Sequence, residues 1–328
     1  MYRDFALSVR GYSHVKEDLK CQDSAVAIKE ESGAWALAVA ADGHGGKAYF
    51  RSDVGSRIAV ECAEQVVRDY LADLEAFVKA LNEDSEKVLR GMEASILSKW
   101  NSAVQEYDAQ HKELTEWEED WCTKKQFTVN EQAREKLYGT TLVMSVLSPQ
   151  FAIGIQNGDG ACAAIYENAE AEFFLPQEDG EHALNITQSL SSSVAMERFV
   201  HRCELAPLTS AGKAEEEPEA EPCDTNNEEM ECADLDGGEA AEACPAKQSP
   251  RLPVCLMVST DGLINSCMSP EDFLKFNRRV LSLIDETDFG ETLERHLFDE
   301  RSTKGSQDDI SIAMVFEEGL NLADFRPS

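Results

Sequence analysis

The chain reads as an α+β fold: two packed antiparallel sheets flanked by helix pairs, a four-layer α-β-β-α sandwich. Two observations lead there. Apolar runs of strand length, Trp35 to Ala41, Val254 to Val258 and Ile310 to Phe316, lie far apart in the sequence and border short polar turns. Between Thr140 and Tyr166, strand-like segments follow one another with no helix between them. That succession favours antiparallel pairing, whereas alternating strands and helices would build a parallel sheet.

Each element has its own signal. Residues 5–10 and 24–41 read as strands, the second group ending at an Asp42 turn. From Gly46 to about Tyr70, Val54, Ile58, Ala59, Cys62, Val66 and Tyr70 recur at intervals of three and four, the pattern of an amphipathic helix. Val88, Met92, Ile96, Trp100, Val104 and Tyr107 predict a second helix over 84–111. These stripes read as core packing. Residues 112–137, rich in charge and carrying Trp117 and Trp121, are a covering loop or a further helix. Thr140 to Val146 and Phe151 to Ile155 predict strands joined at Ser148-Pro149-Gln150, followed by an Asn157-Gly158-Asp159-Gly160 turn and a strand over 161–166. A helical stretch is expected to end near Leu208, and strands over 254–258 and 310–316 complete the set.

Composition narrows the function. With 30 Lys+Arg against 63 Asp+Glu the formal net charge is −33, which argues against nucleic acid and against an anionic membrane surface. No apolar stretch approaches the roughly 18–20 residues of a membrane-spanning helix, and Met1 to Phe5 does not open an apolar signal segment. The expectation is a cytoplasmic protein. Residues 1–328 are expected to form one domain carrying an insert at 211–250, where 13 acidic residues face 2 basic ones with no aromatic, Ile or Val. Such a composition buries no core and predicts disorder. Asp234-Leu235-Asp236-Gly237 within it lacks the ligand spacing of a calcium loop. The ten cysteines show no paired two-residue spacing and are expected to be reduced, Cys62, Cys162 and Cys255 as small core hydrophobes. Cys223, Cys232 and Cys244 of the insert match no motif.

Four acidic segments carry the chemistry: Cys21-Gln22-Asp23, Asp42-Gly43-His44-Gly45-Gly46, Ser259-Thr260-Asp261-Gly262 and Asp308-Asp309-Ile310-Ser311. Each borders a hydrophobic run, so each places carboxylates at the rim of a buried strand. Hard divalent cations take oxygen ligands, and two of them about 3.5–4 Å apart can hold a hydroxide and stabilise both ends of a displacement at phosphorus. An isolated Asp-Gly pair is more often an ordinary turn; the order and spacing of all four segments point instead to one metal site assembled by folding.

Together with Tyr138-Gly139-Thr140-Thr141-Leu142 and Asn157-Gly158-Asp159-Gly160, these segments resemble the metal-dependent type 2C protein phosphatases, the PPM family, over roughly Val9 to Phe316 apart from the acidic insert. Ser13-His14 followed by Cys21-Gln22-Asp23, and Asn185-Ile186-Thr187-Gln188-Ser189-Leu190, resemble a bacterial branch of it. The resemblance implies two Mn²⁺ or Mg²⁺ ions. Asp42 would bridge them, with the Gly43 carbonyl on the second and Asp261 and Asp308 on the first. Asp23 would act through metal-bound water, and Asp159 with Asp261 would support a third, weaker ion. His44 is implied as general acid. Gln22 stands where Glu is frequent, Asp309 where many members have Asn, and Asn265 where another Asp is common. The usual phosphate-binding Arg is missing; His14, then Arg10, are the expected substitutes. Cys21 lacks the Arg-rich phosphate loop of cysteine phosphatases and reads as packing. The implied activity is hydrolysis of phosphoserine or phosphothreonine on a phosphoprotein, without a phosphoenzyme. Two rival readings are a catalytically idle member that binds phosphoproteins or regulates a partner, and an acidic interaction protein that mimics nucleic acid.

Overall fold

A computed structural model of the chain describes residues 1–177, 188–207 and 252–327. The expected insert at 211–250, its three cysteines and Asn185-Ile186-Thr187 lie outside the described residues. In chain order the elements are β1 (Tyr2–Val9), α1 (Tyr12–Glu17), β2 (Ser24–Lys29), β3 (Ala36–Ala41), α2 (Ser52–Tyr70), α3 (Leu74–Gln110), α4 (Glu116–Lys125), β4 (Leu142–Leu147), β5 (Phe151–Asn157), β6 (Ala161–Ile165), β7 (Ala171–Phe173), β8 (Val200–Leu205), β9 (Cys255–Ser259), α5 (Asp261–Ile264), α6 (Pro270–Leu283), α7 (Phe289–His296) and β10 (Ile310–Glu317). A 3₁₀ turn, Arg134–Tyr138, precedes β4, and a π-helical segment, Leu297–Ser306, follows α7. No helix among the described residues is long and apolar enough to cross a membrane.

The strands form two five-stranded sheets, β1-β10-β9-β6-β7 and β2-β3-β4-β5-β8, antiparallel throughout. Strand alternation divides their side chains among three cores. On β3, Leu37, Val39 and Ala41 face α2 and α3, while Ala36, Ala38 and Ala40 face the other sheet. On β10, Ile310, Ile312, Met314 and Phe316 join the core under α6 and α7, while Ala313 and Val315 point between the sheets. The order is therefore helix, sheet, sheet, helix, and the inter-sheet layer is rich in alanine.

Most boundaries follow the sequence patterns, and the departures have local causes. The helix expected from Gly46 begins at Ser52, because residues 46–51 form the connection that leaves Asp42. The helix expected over 84–111 extends back to Leu74, but Asp84 interrupts it with φ −161° and accepts a hydrogen bond from the Lys87 amide at 3.0 Å. Asp84 thus caps the second half, which is the segment the periodicity marks. Residues 112–137 supply both a helix, α4, started by a Thr115–Glu118 capping box, and the 3₁₀ turn. Of the helical stretch expected to end near Leu208, the described residues hold only a 3₁₀ turn, Ala195–Arg198. After it β8 occupies 200–205, with Cys203 and Leu205 packed toward the α3 side and the Arg202 guanidinium over the Phe174 ring. The alternation at 200–205 is a period of two, which Arg and Glu on the second face obscure.

Candidate metal centre

The antiparallel registers bring the acidic segments to one end of the sandwich. Ser24 pairs with Ala41 and Leu142 with Asn157, so Asp23, Asp42, Thr141 and the 157–160 turn share one rim of the second sheet. In the first sheet Ser259 pairs with Ala161 and Ile312, and Val9 with Ile310, which places Asp261 and Asp308 on the same end. The 158–160 turn carries the chain from one sheet to the other. Gln156 holds it, its Nε2 donating to the Gly158 carbonyl at 2.8 Å and the Gly160 carbonyl at 2.9 Å.

Asp42, Asp159 and Asp261 each offer a carboxylate oxygen within 4.8 Å of the others. Asp42 is pushed well above the usual carboxylate range, chiefly by burial and then by the charges of Asp23, Asp261, Asp308 and Asp159. Asp261 is pushed up to about 7 by burial and by Asp159 and Asp308. Asp308 reaches solvent, yet the surrounding protein and Asp309 raise it too. Carboxylates converging in this way, with other carboxylates as their strongest charged neighbours, form an oxygen-rich donor set that a divalent cation fits and a hydrophobic core does not. Asn265 donates to Asp261 Oδ2 at 2.9 Å; it orients that carboxylate where another Asp would have added charge.

The loops are built around close backbone approaches. A Cβ on Gly43 would run into the Gln22 carbonyl, and one on Gly262 into the Asp309 carbonyl. The Gly139-Thr140-Thr141 segment clamps Asp42: Thr141 Oγ1 accepts from the Asp42 amide at 3.0 Å, while the Thr141 amide and Thr140 Oγ1 each donate to its carbonyl at 2.8 Å. The next two residues continue the pairing, with a Gly43–Thr140 bridge and the His44 amide on the Gly139 carbonyl.

The His44 ring is buried edge-to-face on Tyr49, 5.1 Å between centroids, and a Cβ on Gly139 would press on it. Burial lowers its pKa to about 4, so by itself it is neutral at neutral pH. Asp23 is buried and raised by burial and by Asp309; its Oδ2 accepts from Thr260 Oγ1 at 2.7 Å. That threonine also ties the loop to β10, accepting from the Ser311 amide at 2.9 Å.

Asp309 gathers the segment between β1 and β2. It is 2% exposed, accepts from the Gly11 amide at 2.5 Å and the Gln22 amide at 2.6 Å, and lies 2.9 Å from His14 Nδ1. Burial alone would lower the His14 pKa; the carboxylates of Asp309, Asp308 and Glu17 outweigh it and hold the imidazole above its ordinary value. His14 is thus brought to Asp309, while Arg10 is exposed and donates to the Leu19 carbonyl at 3.2 Å. The Gln22 side chain, by contrast, donates through Nε2 to Ser52 Oγ at 2.7 Å. Burial, with Asp309 and Asp23, pushes the Cys21 thiol up and disfavours a thiolate. All seven described cysteines are free. Thr140, Thr141, Thr260 and Gln156 are the positioning side chains that the sequence reading did not single out; the threonines stand inside motifs it quoted.

The protein phosphatase 2C family model matches residues 10–298, a span that takes in Asp23, Asp42, Asp159 and Asp261 and stops short of Asp308. Among solved structures, the Mycobacterium tuberculosis serine/threonine phosphatase PstP/Ppp is 14% identical, with a TM-score of 0.52 over 97% of this chain and 99% of that one. The S. agalactiae serine/threonine phosphatase is likewise 14% identical, with a TM-score of 0.51 over 97% of this chain and 100% of that one. At that identity the likeness speaks for the two-sheet fold. No curated protein sequence matches the chain. The fold and the 289-residue family match (10 to 298) lead to one assignment: the chain belongs to the protein phosphatase 2C family.

Proposed function

We propose that the chain is a Mn²⁺- or Mg²⁺-dependent phosphatase that hydrolyses phosphoserine or phosphothreonine on a phosphoprotein. The observation that carries this reading is the convergence of Asp42, Asp159 and Asp261 at one end of a phosphatase 2C sandwich. Asp42, the Gly43 carbonyl, Asp261 and Asp308 would hold two ions, with Asp23 acting through water and Asp159 with Asp261 serving a weaker third. When bound, the ions would supply a water of lowered pKa as nucleophile and neutralise the phosphoryl oxygens. The residues themselves orient and transfer protons. His44 serves the leaving oxygen as proton donor, taking up its proton only when a phosphate dianion beside it offsets the effect of burial. His14, whose Nδ1 lies 2.9 Å from Asp309, is the first candidate for contact with the substrate phosphate. Arg10 stands second for that contact; it neighbours Gly11, whose amide bonds Asp309, and keeps guanidinium donors beyond the one on the Leu19 carbonyl.

The test is hydrolysis of p-nitrophenyl phosphate and a phosphothreonine peptide with and without Mn²⁺. Asp42→Ala and Asp261→Ala should each lose at least about 100-fold in turnover while staying folded by circular dichroism, and EDTA should do the same to the parent protein. Retention of most activity in either variant would overturn the metal assignment. Metal binding without turnover would favour the rival reading of an idle phosphoprotein-binding module.

A further inference from the structure

Arg51 lies nine residues beyond Asp42, at the far end of the loop that carries Gly43 and His44, and its guanidinium is buried. Glu118 of α4 takes it in a two-pronged pair, Nε to Oε1 at 2.6 Å and Nη2 to Oε2 at 3.0 Å. Its Nη1 donates to Asp108 Oδ1 at 3.1 Å, the His111 carbonyl at 2.8 Å and the Tyr138 hydroxyl at 2.8 Å. That hydroxyl in turn donates to Asp108 at 2.9 Å, and Arg134 holds the same carboxylate through Nε at 2.7 Å. The network accordingly joins the loop, the end of α3, α4 and the 3₁₀ turn.

Its connection to the metal centre runs through the backbone. Tyr138 is the last residue of the 3₁₀ turn and the next three residues are the Gly139-Thr140-Thr141 clamp. The loop is therefore fastened to one strip of chain at both ends: Arg51 donates its amide to the Leu137 carbonyl at 3.0 Å, and Asp42 accepts the Thr141 amide at 2.8 Å. The strip cannot slide, because Gly55 of α2 lies against the Tyr138 carbonyl with no room for a Cβ. Bidentate pairing of a planar guanidinium fixes direction as well as distance, which a flexible ammonium does not.

We propose that Arg51 and Tyr138 are positioning residues: through the Leu137–Thr141 strip they set the placement of the Asp42 carboxylate and the His44 ring. The proposal rests on the reading of Asp42 as a metal ligand and extends it to residues that touch neither metal nor substrate.

The experiment is calorimetric titration of Mn²⁺ into metal-free protein, together with thermal melting and p-nitrophenyl phosphate kinetics, for Tyr138→Phe, Arg51→Lys and Arg51→Met. Ile96→Val, a buried change on α3, serves as a control that loosens packing alone. Tyr138→Phe removes one hydroxyl and should weaken Mn²⁺ binding about threefold to tenfold, lowering kcat with KM unchanged; Arg51→Lys should lose less than Arg51→Met. Ile96→Val should lower the melting temperature and leave Mn²⁺ affinity alone. If Arg51 variants do not fold, Tyr138→Phe decides. Parent-like Mn²⁺ affinity in folded Tyr138→Phe would overturn the proposal, as would a parent protein that binds no Mn²⁺. A parent that binds Mn²⁺ without hydrolysing phosphate would refute the phosphatase reading only, and the comparison of affinities would still decide the positioning role.

Discussion

At the scale of single residues, the centre is a set of carboxylates that burial and mutual repulsion bias toward their protonated forms. Asp261, pushed up to about 7, holds protons in the folded chain over a range where an unfolded Asp has already released them. Stability therefore falls as pH rises from the ordinary carboxylate range near 4 through about 7 when metal is absent. In EDTA the melting temperature should decline across that window, and Asp261→Asn should flatten the decline relative to the rest of this acidic chain. A slope unchanged by the substitution would show that Asp261 is not under charge stress. His44 offers a second test. p-Nitrophenolate leaves without a proton and a serine alkoxide does not, so His44→Ala should slow phosphoserine peptides about 10²–10⁴-fold and aryl phosphate far less. Equal losses on both substrates would assign the ring, packed between Tyr49 and Gly139, a purely structural role.

At the scale of elements, the centre depends on how closely two sheets approach at one end. Ala36, Ala38 and Ala40 of β3 meet Ala164, Val258 and Ala313 in the inter-sheet layer, all fully buried. Side chains this small bring the rims together, and Gly43 and Gly262 let the loops on those rims touch backbone to backbone. Ala38→Leu should overpack the layer and cost about 1–3 kcal/mol in urea unfolding. Because the sheets are pushed apart, the same change should also weaken Mn²⁺ binding. A Leu accommodated without loss of stability would mean that the layer holds slack and that the alanines do not set the spacing.

At the scale of the molecule, the net charge of −33 is concentrated partly in residues 211–250, which lie outside the described residues and contribute −11 (13 acidic, 2 basic). They fall between β8, an edge strand of the second sheet, and β9, which lies inside the first. Replacing 211–250 with a short Gly/Ser bridge should leave Mn²⁺-dependent p-nitrophenyl phosphate hydrolysis intact, since changing the length of such a connection costs only about 0.6 kcal/mol per doubling. Any loss should appear with protein substrates and fade as salt screens the charge. Loss of cooperative unfolding in the deletion variant would place part of the segment in the folded core.

The apolar runs, their alternation and the turns between them suffice to mark eight of the ten strand positions, all but β8 and the three-residue β7, because burial on both faces of a sheet writes long apolar stretches. β8 escapes because an edge strand can carry His201, Arg202 and Glu204 on a period of two, and those residues mimic a polar helix or loop. The carboxylates of the centre are legible as motif residues, since Asp at a strand end followed by Gly is a local signature. What only the tertiary structure decides is who faces whom. His14 meets Asp309 across 295 residues, and the Gln22 side chain turns to Ser52 while its backbone amide bonds Asp309. Arg51 finds Glu118, Asp108 and Tyr138 on three different elements. Those pairings follow from sheet register and loop packing, which sum contributions from the whole chain, and no local spacing encodes them.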